Sequence, residues 1–239
     1  MSRLDFLLWI VLPYAAITVC IAGHIWRYRH DQFTWGTRST QLLERHNLRP
    51  AILMFHLGLL AVFGGHVVGL LVPSSWTEAV GVSEDMYHAG SVAAGTLFGV
   101  ITVVGFVWLI ARRETTPRVR ATTTGIDRLT YLLLLIVMSM GMIATLGPNL
   151  IGGGYDYRET VSPWFRGVFT LNPDVGLITS APAVYQLHAI CAFLLFALWP
   201  FSRLVHVWSI PVSYVGRSYI LYRARTRPAP AVARRRADI

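Results

Sequence analysis

AILMFHLGLLAVFGGHVVGLLV, residues Ala51–Val72, is the stretch on which the fold turns. It holds no Asp, Glu, Lys or Arg, and it is long enough to cross the ~30 Å hydrocarbon core of a bilayer as a helix. Yet it carries two ionisable rings, His56 and His66. A ring of that kind inside a membrane is costly and points to a functional partner. A second apolar block, Ala183–Trp208, carries another two, His188 and His206.

Three further blocks of spanning length flank these: Leu4–Trp26, His88–Ala111 and Ile126–Leu146. Each can close its backbone hydrogen bonds internally as a helix, which lipid requires. With 54% hydrophobic and only 14% charged residues, the composition excludes an ordinary soluble domain. The expected fold is an all-α membrane protein, a bundle of five transmembrane helices.

The basic residues orient that bundle. All 21 are arginine, and all but Arg3, Arg158 and Arg166 fall on one side: in Arg27–Arg49, in Arg112–Arg128, and from Arg203 onward. The positive-inside rule then places the N-terminus outside and the C-terminus in the cytoplasm. The same asymmetry accounts for the net charge of +9, so no nucleic-acid partner is expected. The first block lacks the basic start and small-residue cleavage site of a signal peptide and reads as a retained helix. Trp26, Trp108 and Trp208 at the inner ends, with Trp76 and Trp164 outside, read as an aromatic belt. Cys20 and Cys191 lie at different depths and read as unpaired packing residues.

Residues 1–224 form one membrane domain, and 225–239 a basic, disordered cytoplasmic tail. The inner loop Arg27–Pro50 has a short helix expected at Thr40–Arg45. The outer connection Gly147–Pro182 contains Val161–Leu171, expected to lie flat on the membrane surface.

The second block runs inside to outside and the fifth runs back. Depth therefore pairs His66 with His188 near the outer face, and His56 with His206 near the inner face. On straight helices His56 and His66 would be separated by about 15 Å and His188 and His206 by about 27 Å, a mismatch that tilt would have to absorb. Two imidazoles facing each other suit the axial positions of a haem iron. Such an iron has no open site and cycles between oxidation states with little rearrangement, so the pairs point to two stacked haems and electron conduction. Gly64 and Gly65, next to His66, leave room for a flat macrocycle, whereas Gly58 and Gly69 read equally well as helix packing. Arg112 and Arg203 lie at the depth of the inner pair, where a guanidinium suits a haem propionate. His24, His30 and His46 read as interface residues. His88, at the outer start of the third block, is a candidate contact for a substrate head group.

Several strings make the chain resemble a known family. They are Arg27-Tyr28 with Gln32-Phe33-Thr34-Trp35, Phe55-His56-Leu57-Gly58, Gly65-His66, Pro117-Arg118-Val119-Arg120-Ala121-Thr122-Thr123-Thr124-Gly125, and Pro200-Phe201-Ser202-Arg203-Leu204-Val205-His206-Val207-Trp208-Ser209. The chain resembles the gamma subunit, the membrane cytochrome b, of respiratory nitrate reductase, over about Leu12–Ala224. The resemblance implies two haem b groups held by His56, His66, His188 and His206, and oxidation of a membrane quinol such as menaquinol beside Gly65 and His66, with His88 close by at the start of the third block. It implies electron delivery to an iron–sulfur (beta) subunit, which feeds a molybdenum catalytic (alpha) subunit where nitrate is reduced. One departure is Met86: the family often has a lysine just before the third helix, and a thioether cannot donate to a quinol oxygen.

Two other readings fit less well. A di-haem subunit of a formate dehydrogenase or hydrogenase usually has four helices and lacks the Thr122–Thr124 string. A histidine-bearing transporter calls for mid-helix carboxylates, and the only acidic residues in these blocks, Asp5 and Asp127, sit at their ends.

Overall fold

The computed structural model describes residues 2–36, 39–150, 152 and 154–209. The expected tail, 225–239, lies outside them. All regular structure among the described residues is helical, with five helices long and apolar enough to cross a membrane: Arg3–His30, Leu48–Leu71, Glu84–Thr115, Gly125–Asn149 and Ala183–Phe201. These are termed the first to fifth spans. The second packs on the third, the third on the fourth, the fourth on the fifth and the fifth on the first.

Local chemistry sets the ends of the spans. Ser83 caps the third span by accepting the Met86 N–H, with Glu84 and Asp85 in the first turn and Arg112 and Arg113 in the last. Both charge placements complement the helix dipole. Thr124 and Asp127 cap the fourth span reciprocally, the Thr124 N–H donating to Asp127 Oδ2 at 2.9 Å and the Asp127 N–H to Thr124 Oγ1 at 3.4 Å. Close helix contact needs small residues. At Gly105 of the third span, a Cβ would stand 2.5 Å from the Phe55 backbone nitrogen and 2.9 Å from Met54 Cβ. Gly105→Ala is therefore expected to separate the second and third spans and to cost about 1–3 kcal/mol as overpacking. Thermal unfolding in detergent measures this.

The fifth block departs from the single helix expected over Ala183–Trp208. The α-helix ends at Leu198, a 3-10 turn covers Trp199–Phe201, Ser202 is extended (φ −107°, ψ −178°), and a second 3-10 segment runs Arg203–Ser209. His206 is thus not on the helix that carries His188. Pro200 has no N–H to continue the ladder. Ser202 Oγ donates to Trp199 O at 2.9 Å and accepts the Leu204 N–H at 3.1 Å. Arg27 of the first span takes the released carbonyls, donating from Nη1 to Pro200 O (2.6 Å) and Ser202 O (2.9 Å). Its Nη2 holds Thr34 O at 2.9 Å. Gly23 leaves the space, since a Cβ there would meet Pro200 Cγ at 2.6 Å. The break lies between His188 and His206, so the separation expected for one straight helix does not apply to them.

Val161–Phe169 is a helix, and one face of it is buried against the bundle. Trp164 and Val168 are each 1% exposed and pack with Trp9, Ile178 and Phe193 in the main apolar cluster. Trp164 is therefore a core residue and not part of an aromatic belt. Its sockets come from two π turns, Leu7–Val11 and Val67–Leu71. In a π turn the hydrogen-bond register slips, and carbonyls become available to side chains. Trp164 Nε1 donates to Trp9 O at 3.3 Å, Ser162 Oγ to Gly69 O at 2.9 Å, and Arg166 to Leu70 O at 3.1 Å. Burial, with the nearby Arg158 charge, pulls the Arg166 guanidinium below its usual range.

Loop Thr40–Arg45 forms a turn, with no helix. The Leu43 and Glu44 N–H groups both donate to Thr40 O. The Asn47 N–H, opposed by desolvation and aided by Arg112, holds the Glu44 carboxyl below the usual range. Cys20 and Cys191 are unpaired.

Candidate functional site

The second and fifth spans share no extensive backbone packing. They approach each other through imidazoles. His66 and His188 have ring centroids 6.0 Å apart, and His56 and His206 also stand 6.0 Å apart. The structure therefore brings together the residues that depth had paired.

Each ring is fixed through Nδ1 to a backbone carbonyl: His56 to Ile52 O (2.9 Å), His66 to Val62 O (2.8 Å), His188 to Val137 O (3.0 Å) and His206 to Arg203 O (2.7 Å). A carbonyl only accepts, so Nδ1 carries a proton, and in the neutral form of such a ring the lone pair is on Nε2. Metal-binding histidines are commonly held this way. His24 starts from the same bond, Nδ1 to Cys20 O at 2.6 Å, but its Nε2 is taken by the Trp208 indole N–H at 3.1 Å. His30 bonds Trp26 O and stacks on the Trp26 ring. Neither is placed as a ligand.

The donor pairs fit a haem. Iron–nitrogen bonds of about 2 Å on both sides leave imidazole centroids roughly 6 Å apart, which matches the spacing of both pairs. Room for a macrocycle exists beside His66, where a Cβ added at Gly64 or Gly65 would meet nothing within 4 Å. Gly58 and Gly69 differ: they are buried against Phe98 and Thr102 and against Tyr87 and Tyr157, respectively. Among the described residues no three of His, Cys, Asp or Glu converge as a metal cluster.

A sequence profile described as nitrate reductase gamma subunit matches residues 5–225, nearly the whole chain. The chain belongs to the nitrate reductase gamma subunit family. It is 44% identical over 220 residues to a nitrate reductase gamma chain of Bacillus subtilis, covering 92% of this chain and 98% of that one. It is 35% identical to the respiratory nitrate reductase 1 gamma chain of Escherichia coli, over 94% of this chain and all of that one. A nitrate reductase-like protein NarX of Mycobacterium tuberculosis is 47% identical over 93% of this chain, which spans only 35% of that longer protein. Family and spans together make this a membrane protein.

The remaining sequence candidates of this gamma-subunit homologue fall in different places. Arg112 is buried, and every guanidinium nitrogen is used within the protein. Nε pairs with Glu44, Nη1 donates to Thr40 Oγ1 at 3.1 Å, and Nη2 donates to Glu44 O at 2.5 Å and Thr40 O at 3.2 Å. Arg203 grips Asp127 with both prongs, at 2.5 and 2.7 Å, and also holds Thr122 O at 3.1 Å. Desolvation opposes the Arg203 charge, but the bond to Asp127 outweighs it, and the guanidinium is held above its usual range. Both arginines thus anchor loops to span ends, which gives the Thr122–Thr124 string a structural meaning. His88 does not join either histidine pair; it lines a groove with Asn149 and Gly154.

One contact residue was absent from the sequence reading. Gly141 of the fourth span lies under His188, and a Cβ there would stand 3.0 Å from Cε1. A glycine in an apolar helix carries no label for what it faces, so sequence offered only a packing reading.

Proposed function

We propose that the chain is the di-haem, quinol-oxidising membrane subunit of a respiratory nitrate reductase, with residues 1–224 as its membrane domain. Its N-terminus faces outside and its C-terminus the cytoplasm, a reading supported by the arginine distribution. The observation that carries the reading is the pair of imidazole pairs, each at 6.0 Å, between two spans that barely touch otherwise. A haem b in each would supply a six-coordinate iron suited to passing single electrons.

The chain's own residues do the positioning. His66 and His188 hold the outer site and His56 and His206 the inner one, each presenting a neutral ring whose Nδ1–H is anchored. Gly64 and Gly65 keep the approach beside His66 open. Quinol is oxidised near His66, its protons leave on the outer side, and the electrons pass inward. Inward movement against an inside-negative potential costs about 2.3 kcal/mol per electron per 100 mV, which the oxidation must supply. The basic inner loops offer a docking face for an iron–sulfur subunit, which in turn serves a molybdenum subunit. The relatives named as nitrate reductase gamma chains support this assignment of partners.

The test is a reduced-minus-oxidised absorption spectrum of the purified chain, expected to show two b-type components; a colourless, iron-free chain made with ample porphyrin would overturn the reading. Gly141→Val is a sharper version. Its branched side chain collides with the His188 ring, so the His66–His188 component should weaken while the His56–His206 component persists.

A further inference from the structure

Two of the strings on which the family resemblance rests, Pro117–Gly125 and Pro200–Ser209, are far apart in the sequence and meet in the fold. Asp127 joins them. It is 1% exposed, at the inner start of the fourth span, and its carboxylate takes donors from both sides. The Thr124 N–H donates to Oδ2 at 2.9 Å. Arg203 donates from Nε to Oδ1 at 2.5 Å and from Nη2 to Oδ2 at 2.7 Å. The same Nη2 holds Thr122 O at 3.1 Å. A guanidinium gripped by both prongs is fixed in orientation as well as compensated in charge.

Arg203 also carries the anchor of a candidate axial ligand. Its carbonyl accepts the His206 Nδ1–H at 2.7 Å. His56, His66 and His188 bond the carbonyls of Ile52, Val62 and Val137, which all lie in regular α-helix. His206 differs. Its ring hangs on a carbonyl in the 3-10 segment Arg203–Ser209, just past the extended Ser202. That segment has further holds, Arg27 on Ser202 O and the Trp208 indole on His24. The Asp127 contact is the one that acts on the residue whose carbonyl orients the ring.

We propose that Asp127 is a positioning residue for the inner haem: through Arg203 it orients His206 and keeps the inner iron's potential low. A firm bond from Nδ1–H to a carbonyl makes an imidazole a stronger donor to metal, and a stronger donor favours ferric iron. The carboxylate also cancels the Arg203 cation, which left alone would favour ferrous iron, the form with one positive charge fewer. Both effects have the same sign, and both are confined to the site that contains His206. The Thr122–Thr124 string thereby serves the inner haem, since its backbone orients the carboxylate and the guanidinium. The proposal rests on the di-haem function set out above.

The experiment is a redox titration of the full haem-loaded chain in membranes, followed by absorption and by the low-spin ferric EPR signals. The component that His56→Leu removes marks the inner iron. Asp127→Asn keeps the side chain's shape and removes its charge. It is expected to shift the inner iron's reduction equilibrium about tenfold towards ferrous, a midpoint about 59 mV higher. The inner EPR signal, which follows the orientation of the imidazole planes, should move, and the outer midpoint should stay in place. Adding Arg203→Gln removes the stranded cation and should bring the midpoint part of the way back. Glu114→Gln, at an exposed position on the inner end of the third span, should leave both midpoints unchanged. An unshifted inner midpoint and EPR signal in Asp127→Asn would overturn the proposal. So would equal shifts of both irons, which a general loosening of the bundle produces, or no return in the double variant. If Asp127→Asn binds no haem at all, Arg203→Lys decides, since it keeps the charge but not the fork. A shifted inner EPR signal in that variant supports the proposal, and an unshifted one overturns it. A parent without two b-type components indicts the di-haem reading instead.

Discussion

Replacing either His66 or His188 by leucine is expected to abolish one b-type absorption component, roughly half of the total, and to leave the other intact. The symmetrical result is expected for His56 or His206. The argument is geometric. The rings of each pair face each other at 6.0 Å, and each belongs to a different stretch of backbone. Leucine keeps the bulk and removes the lone pair, so one site loses half its axial ligation while the other keeps both rings. Removing even a group that orients a ligand lowers metal affinity about 10–100-fold, and removing the ligand itself costs no less. Quinol-driven turnover of the assembled complex should fall by at least about 100-fold for all four variants, because conduction in series needs both stations. The spectra, and not the turnover, are the diagnostic. Loss of both components from each single replacement in correctly inserted protein would defeat separate pairwise ligation.

The features legible in the sequence are those whose cause is additive along the chain. Spanning helices need only apolar length, and all five blocks became spans. The histidine pairs needed only the alternation of direction, and depth alone names the rings that stand 6.0 Å apart. What stayed hidden depends on contacts far apart in sequence. Pro200-Phe201-Ser202 reads as apolar helix until Arg27, 173 residues away, is seen donating to Pro200 O. Val161–Phe169 has the aromatic and basic composition of an interfacial helix. It becomes core because π turns at Leu7–Val11 and Val67–Leu71 offer it carbonyls, and a slipped register has no compositional mark. Arg112 and Arg203 stand at the depth a propionate ligand needs, yet their carboxylate partners, Glu44 and Asp127, sit in separate segments of the sequence. Asn149 carries no mark in the sequence. Only burial reveals that its Oδ1 lacks a donor among the described residues.

Arg27→Leu carries the largest expected effect on the fold, and the effect should be local in its spectral consequence. The Arg27 guanidinium joins the first span, the Gln32–Thr34 turn and the break before His206, through Pro200 O, Ser202 O and Thr34 O. Leucine leaves those carbonyls without their donor. Each orphaned buried acceptor costs about 1–3 kcal/mol, so the loss of three amounts to at least about 3 kcal/mol. In a chain of this size that corresponds to a fall of about 10 °C in unfolding temperature. The Arg203–Ser209 segment is held to the bundle by Arg27 at its start, by Asp127 through Arg203 and by the Trp208 indole on His24. Losing one hold should loosen His206 before anything at His188, which sits on regular helix packed over Gly141. The His56–His206 component is thus expected to broaden or vanish while the His66–His188 component survives. Arg29→Leu is the matched control. It removes the same charge two residues away from an exposed position, where substitutions usually stay within about 0.5 kcal/mol. Arg27→Lys keeps the charge but not the planar fork, and a single ammonium cannot span the same carbonyls in the same geometry; it should fall between the two. Equal unfolding temperatures for Arg27→Leu and Arg29→Leu would mean that the break before His206 is held by something other than this guanidinium.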